Sequence, residues 1–130
     1  MFSKTTHDIT VTAEPRFLAE HSEPDDAHYV WAYTINLENR GQETVQLLNR
    51  YWHITDDTGQ TQEVQGTGVI GEQPVLKPGE SFRYTSGTAL ATPSGLMFGK
   101  YEMATPVGSR FDVEIPAFSL DSPYFAGKAN

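Results

Sequence analysis

Eight prolines and eleven glycines are spread so evenly along this 130-residue chain that no stretch of a dozen residues joins an apolar 3.6-residue repeat to freedom from Pro, Gly and β-branched crowding. Little helix is therefore expected, and the apolar residues have to be buried on strands. Val, Ile, Thr and the aromatics make up about a third of the chain, and these side chains fit a pleated, half-buried surface.

Period-two alternation places the strands. Ile9, Val11 and Ala13 share one face, and the pattern resumes at Phe17 and Ala19 beyond Pro15, whose missing N–H implies an edge or a bulge. The polar, Pro-broken stretch from Glu20 to Ala27 reads as a connecting loop. Tyr29, Trp31, Tyr33, Ile35 and Leu37 then give the strongest core signal, with Val30 and Ala32 on the other face. The turn residues Asn39-Arg40-Gly41-Gln42 lead to a run from Thr44 to Thr55, and these two strands are expected to pair as a hairpin. In that run Leu48, Arg50, Trp52 and Ile54 fall opposite Val45, Leu47, Asn49, Tyr51 and His53. Thr61 to Gln65, the Phe82/Tyr84 alternation, Gly95 to Met103, and Phe111, Val113, Ile115 and Ala117 complete about seven strands. Turn signals every 8 to 15 residues define an all-β fold, an immunoglobulin-like or fibronectin-type-III-like antiparallel β-sandwich. One domain over residues 1–120 is expected, followed by a tail, 121–130, that frays and is partly disordered, although Tyr124 and Phe125 can dock on a sheet.

Charge and composition exclude several functions. Seventeen acidic against nine basic side chains give a net charge of −8, which repels phosphate backbones and anionic lipid, so neither nucleic acid nor a membrane is the expected partner. Cysteine is absent, which removes thiolate catalysis, disulfides and Cys-based metal sites. No apolar run approaches the length of a membrane span, and a soluble cytoplasmic chain, monomeric or weakly dimeric, is expected.

Four constellations could carry function. Gly66-Thr67-Gly68-Val69-Ile70-Gly71 matches G-x-G-x-x-G, but Pro74 and Pro78 leave no helix to follow it, so a dinucleotide-binding unit is excluded. A backbone nest for a small anion stays open, with Arg50 and Arg83 beside Gly66, Thr67, Gly68 and Gly71 as candidate residues. His21 and His28, within an acidic loop, are candidate ligands for weak divalent-cation association. His53 near Asp56 lacks a nucleophile in any recognisable elbow, so no catalytic residue and no cofactor is assigned and the chain is read as a non-enzyme. The aromatics exceed what one small core must hide, and Tyr29, Trp31, Tyr51 and Trp52 are candidate members of an exposed surface for a protein partner.

Four segments together carry a resemblance: Tyr29-Val30-Trp31-Ala32-Tyr33-Thr34-Ile35, Arg50-Tyr51-Trp52-His53-Ile54-Thr55-Asp56, Gly66 to Pro74, and Leu76-Lys77-Pro78-Gly79-Glu80-Ser81-Phe82-Arg83-Tyr84-Thr85-Ser86-Gly87. In this order they resemble the bacterial ApaG family, from about His7 to Phe118. The resemblance implies a fibronectin-type-III-like sandwich without an assigned activity, encoded beside a diadenosine-tetraphosphate hydrolase and linked to cobalt tolerance and magnesium efflux. It also implies protein recognition, the role of related domains in eukaryotic F-box adaptors and a polymerase-delta-interacting protein. In that family the glycine motif has been discussed as a pyrophosphate site. The expected function is thus a non-catalytic interaction domain, with a small-anion sensor built on residues 66–71 as the alternative.

Overall fold

Strands whose apolar residues alternate must turn one face inward, and two such sheets close on each other here. The computed structural model describes residues 1–124. Its strands are β1 (Phe2–Thr6), β2 (Ile9–Phe17), β3 (Tyr29–Asn39), β4 (Val45–Asp56), β5 (Thr61–Thr67), β6 (Val75–Leu76), β7 (Ser81–Leu90), β8 (Ser94–Ala104) and β9 (Arg110–Asp121). One sheet has the order β1-β2-β3-β7; the other has β5-β4-β8-β9, with β6 also pairing β4. Every pairing is antiparallel. Between β2 and β3 lie two short 3-10 turns, Ala19–His21 and Pro24–Asp26. Among the described residues no helix is long and apolar enough to cross a membrane.

The expected sandwich is present, with two strands beyond those read from the sequence. β1 forms a hairpin with β2 through His7 and Asp8, both at positive φ (48° and 64°), a two-residue turn without the usual Asn-Gly pair. β6 is only two residues long. Pro15 costs no ladder bond, because β1 ends opposite Ala13 and leaves that side of β2 unpaired beyond it.

The expected hairpin between Tyr29–Leu37 and Thr44–Thr55 is not formed. β3 pairs β2 and β7, whereas β4 pairs β5, β6 and β8, so the chain crosses from one sheet to the other after Asn39. The physical reason is burial: crossing sets the aromatic faces of β3 and β4 against each other, with the Tyr33 and Trp52 rings 5.4 Å apart. The buried Asn39 side chain ties down the crossover. Its amide donates to the carbonyls of Glu43 (2.7 Å) and Leu76 (3.0 Å), and its oxygen accepts the Gly41 N–H (2.9 Å).

Phase changes account for the remaining departures from simple alternation. A register shift between Leu47 and Asn49 lets β4 bury Val45 and Leu47 and then Trp52 and Ile54. A second shift, opposite Met97 and Gly99, turns β9 from burying Val113 and Ile115 to burying Phe118 and Leu120, so the expected inward Ala117 is exposed. Beyond β9, Ser122 is buried and Tyr124 lies 6.1 Å from the Phe17 ring and 6.2 Å from that of Tyr29. Phe125 and the rest of the expected tail, 125–130, lie outside the described residues.

Asn39→Ala strips the buried Leu76 carbonyl, the part-buried Glu43 carbonyl and the Gly41 N–H of their partner and should lower unfolding free energy by about 2 kcal/mol in urea denaturation. Arg40→Ala, which removes only the exposed 2.6 Å ion pair to Glu38, should cost under about 1 kcal/mol. Equal losses would show that Asn39 does not hold the crossover.

Candidate functional site

The inward face of β4 carries a charge where its neighbours are apolar. Arg50 precedes Trp52 and Ile54 on the same face and is half-buried between the sheets. It stands where the sandwich stays open, between the outer strands β5 and β7. A cleft of about 450 Å³ lies there, lined among others by Tyr33, Arg50, Trp52, Ile54, Val64 and Ser86. It adjoins a hollow of about 220 Å³ that shares Tyr33, Arg50, Trp52 and Ser86 and is bounded by Val69, Ile70, Gly71 and Tyr84.

The glycine motif explains how Arg50 is held. Gly66 pairs with Arg50 across β4 and β5, and a Cβ at Gly66 would sit 2.6 Å from the guanidinium carbon. Only glycine lets that group lie against the strand. Arg50 Nη1 then donates to the carbonyls of Thr67 (3.1 Å) and Gly68 (2.9 Å). Val69 and Glu72 exchange N–H and carbonyl bonds at 2.8 Å each way, which closes a two-residue turn on Ile70 and Gly71 at φ 43° and 79°. A β-branched residue in the left-handed region is uncommon, and Ile70 also leaves 55% of its surface exposed at the tip. No helix follows. The N–H groups of Gly68, Val69 and Glu72 are already bonded within the protein, so the loop presents no open nest of donors from those three.

Tyrosine hydroxyls floor the same region. Tyr84 of one sheet and Tyr101 of the other share a 2.5 Å hydrogen bond across the interior. Burial pushes the pKa values of Tyr84, Tyr101 and Tyr33 above the usual phenol range, while the nearby Arg50 charge pulls the other way at each. Ser86, opposite Tyr33 in the β3–β7 register, also lowers Tyr33. All three phenols are therefore uncharged and able to donate at neutral pH.

The other candidates from the sequence do not converge on this place. Arg83 is exposed and faces outward from β7, since its neighbours Phe82 and Tyr84 turn inward, so it does not join Arg50. Trp31 (1% exposed) and Trp52 (3%) are core residues and cannot belong to a surface patch; they fill the space between the sheets. Tyr29 is half-buried beside Tyr124, and Tyr51 lies on the outer face of the other sheet under Lys100 Nζ, 5.3 Å from its ring. The four aromatics therefore form no single surface. His21 and His28 are exposed around the two 3-10 turns, and among the described residues no three His, Asp or Glu side chains are grouped to hold a metal ion. His53 stacks on Phe98 at 5.0 Å and lies 3.5 Å from Glu63, not with Asp56. The Asp56 carboxylate instead caps its own turn, where the Thr58 hydroxyl and the backbone N–H groups of Thr58 and Gln60 hold its pKa below the usual value. Tyr33, Tyr84, Tyr101 and Ser86 escaped the sequence reading as site residues; the one local signal was an arginine at an inward-facing strand position.

An antiparallel two-sheet sandwich with an open cleft and a fixed, inward-facing arginine on one side is a small fibronectin-type-III-like domain. Comparison with known proteins narrows that class. The ApaG domain model matches residues 19–105. The chain is 59% identical over 124 residues to Protein ApaG of Parvibaculum lavamentivorans, covering 95% of each, and 57% identical over the full length of both to Protein ApaG of Paramagnetospirillum magneticum. A crystal structure of an ApaA protein from Bordetella pertussis superposes with a TM-score of 0.87 at 45% identity, covering 90% of this chain and 95% of that one. The chain belongs to the ApaG family.

Because their folded pKa values are raised, Tyr33, Tyr84 and Tyr101 give stability that is full below the unfolded phenol pKa near 10 and is lost as pH rises through the folded values. Unfolding free energies from urea denaturation should be level up to about pH 9 and then fall by up to about 1.4 kcal/mol per pH unit for each of the three, with the urea midpoint falling in step. Tyrosinate absorbance should rise in two stages, the later one coinciding with unfolding. A midpoint unchanged well above pH 10 would contradict this.

Proposed function

We propose that this chain is a non-catalytic cytosolic protein-interaction domain that takes an extended segment of a partner along the free edge of β7. The observation that carries this reading is the contrast among the four sheet edges. β1 is five residues long with Lys4 in it, β9 contains Pro116 and a register shift, and β5 is seven residues long with Glu63 and Gly66 in it. β7 runs ten residues with no proline and no register shift, carries a single charge, Arg83, and a single glycine, Gly87, and among the described residues it pairs only with β3. Long, straight edges of that kind are templates for strand addition.

Backbone direction supports it further. Asn39 N–H donates to Glu80 and Leu18 N–H donates to Val30, which fixes the alternation across β3. Even-numbered residues of β7 then bond β3, and the backbones of Ser81, Arg83, Thr85, Gly87 and Ala89 turn toward the open side. Any part in divalent-cation tolerance is exerted through the bound partner under this reading. A second reading, a small-anion sensor, is favoured by one observation: Arg50 has no carboxylate within 4.0 Å among the described residues. That sensor should show a thermal midpoint raised by excess ATP or pyrophosphate, and an unmoved midpoint removes it.

Thr85→Pro deletes an outward N–H without touching a β3 bond, and Thr85→Val removes the same hydroxyl, bonded to Thr34 at 2.9 Å, while keeping the N–H. In affinity capture from a bacterial lysate, proteins retained by wild type and Thr85→Val should be lost with Thr85→Pro at similar thermal midpoints. The same proteins on all three would overturn edge docking.

A further inference from the structure

We propose that the cleft between β5 and β7 selects the docked segment by its sequence, with Arg50 binding an acidic side chain and the Ile54–Val64–Met97 end receiving an apolar side chain two residues away. This rests on edge docking at β7 and adds the chemistry of the partner.

The charge inventory is the first argument. Of all residues lining the cleft and its adjoining hollow, Arg50 is the sole charged one, in a chain where acids outnumber bases seventeen to nine. A guanidinium that is half-buried, without a carboxylate partner among the described residues and faced by no acid in its own cleft is complementary to a negative group from outside.

Its fixation is the second. Nη1 is spent on two carbonyls, and Gly66 supplies the space beneath the plane, so the guanidinium is held before any ligand arrives. Guanidinium has five N–H donors, and Nε–H and the Nη2 pair make no bond to the protein among the described residues. Nε–H with one Nη2–H is the fork that grips a carboxylate by both oxygens. The hydroxyls of Ser86 and Tyr33 line the same place and can donate to it as well.

Strand geometry supplies the third. Ser86 and Thr88 are successive inward residues of β7, and both line the cleft. A segment paired beside β7 repeats that two-residue period whichever way it runs, so its inward side chains fall beside Ser86 and beside Thr88. The first meets Arg50. The second meets Ile54, Val64 and Met97, which are apolar. The recognised pattern is therefore one acidic and one apolar residue separated by a single outward residue.

A randomised eight-residue peptide display library, panned on wild type, Arg50→Gln, Arg50→Lys and Thr85→Pro, tests this directly. Wild type should enrich Asp or Glu two positions from Val, Ile, Leu or Met. Arg50→Gln should keep the apolar preference and lose the acidic one, Arg50→Lys should keep part of it, and Thr85→Pro should enrich nothing. An end-capped peptide made from the winning pattern should bind wild type at least about tenfold tighter with Glu than with Gln, a ratio that shrinks with salt and disappears in Arg50→Gln. Should Arg50→Gln fail to fold, the Glu/Gln ratio on wild type and the Arg50→Lys panning still decide. Enrichment without acids, or the same acids on wild type and Arg50→Gln, would overturn the carboxylate role while leaving edge docking intact. No enriched pattern on wild type would overturn the carboxylate role as well, and edge docking would then stand or fall on the Thr85→Pro capture.

Discussion

Aromatic side chains meeting between the sheets set the spacing on which the rest of the molecule depends. Tyr33 and Trp52 approach from opposite sheets, and both lie 6.0 Å from the Phe118 ring. Large rings bury much apolar surface and pack well in tilted or edge-on pairs, so three strands are locked by one cluster. The Tyr84–Tyr101 bond adds a polar bridge inside that layer, satisfying two hydroxyls that would otherwise each be buried without a partner. Where this filling ends, at β5 and β7, the sheets still stand apart at the separation the rings impose. The cleft is thus a consequence of the core, and Arg50 occupies its boundary.

The same packing explains which parts of the fold were legible in the sequence. β3 reads plainly because one unbroken period of two runs from Tyr29 to Leu37, and all its inward residues are at least half-buried. β4 and β9 read only in part, because each changes phase at a register shift, and a shift is a relation between two strands that neither sequence displays alone. The false hairpin has the same origin. A short turn between two apolar strands is compatible with pairing and with crossing between sheets, and what decides it is the distant set of rings that β3 must face. β1 was missed because His7 and Asp8 adopt left-handed conformations that are stabilised by the hairpin they close and not by their residue types.

Legibility of the site divides along similar lines. Arg50 was accessible as a charge on an inward strand face, and the glycine spacing was accessible as a motif. Their relation was not. In the sequence the glycines read as a cradle for a ligand, whereas in three dimensions Gly66 and the carbonyls of Thr67 and Gly68 cradle a side chain of the protein itself. Arg83 looked equivalent to Arg50 until strand parity put the two on opposite sides of a sheet. Tyr33, Ser86, Tyr84 and Tyr101 come from three strands joined by long-range pairing, so no window of sequence could bring them together.

Net charge and the isolated arginine also constrain each other. At physiological ionic strength a surface of net charge −8 repels an acidic approach only within roughly 8 Å, and beyond that distance counter-ions screen it. Inside the cleft the balance reverses, because the only fixed charge there is positive and the surrounding protein screens it less than water would. A polyanion, which must lie against the outer surface along its length, meets the repulsion everywhere. A short strand bearing one carboxylate, docked as proposed, would meet it briefly and then gain backbone pairing and a fixed counter-charge together. On the proposed reading, such an arrangement discriminates by how charge is distributed along a partner more than by how much of it there is.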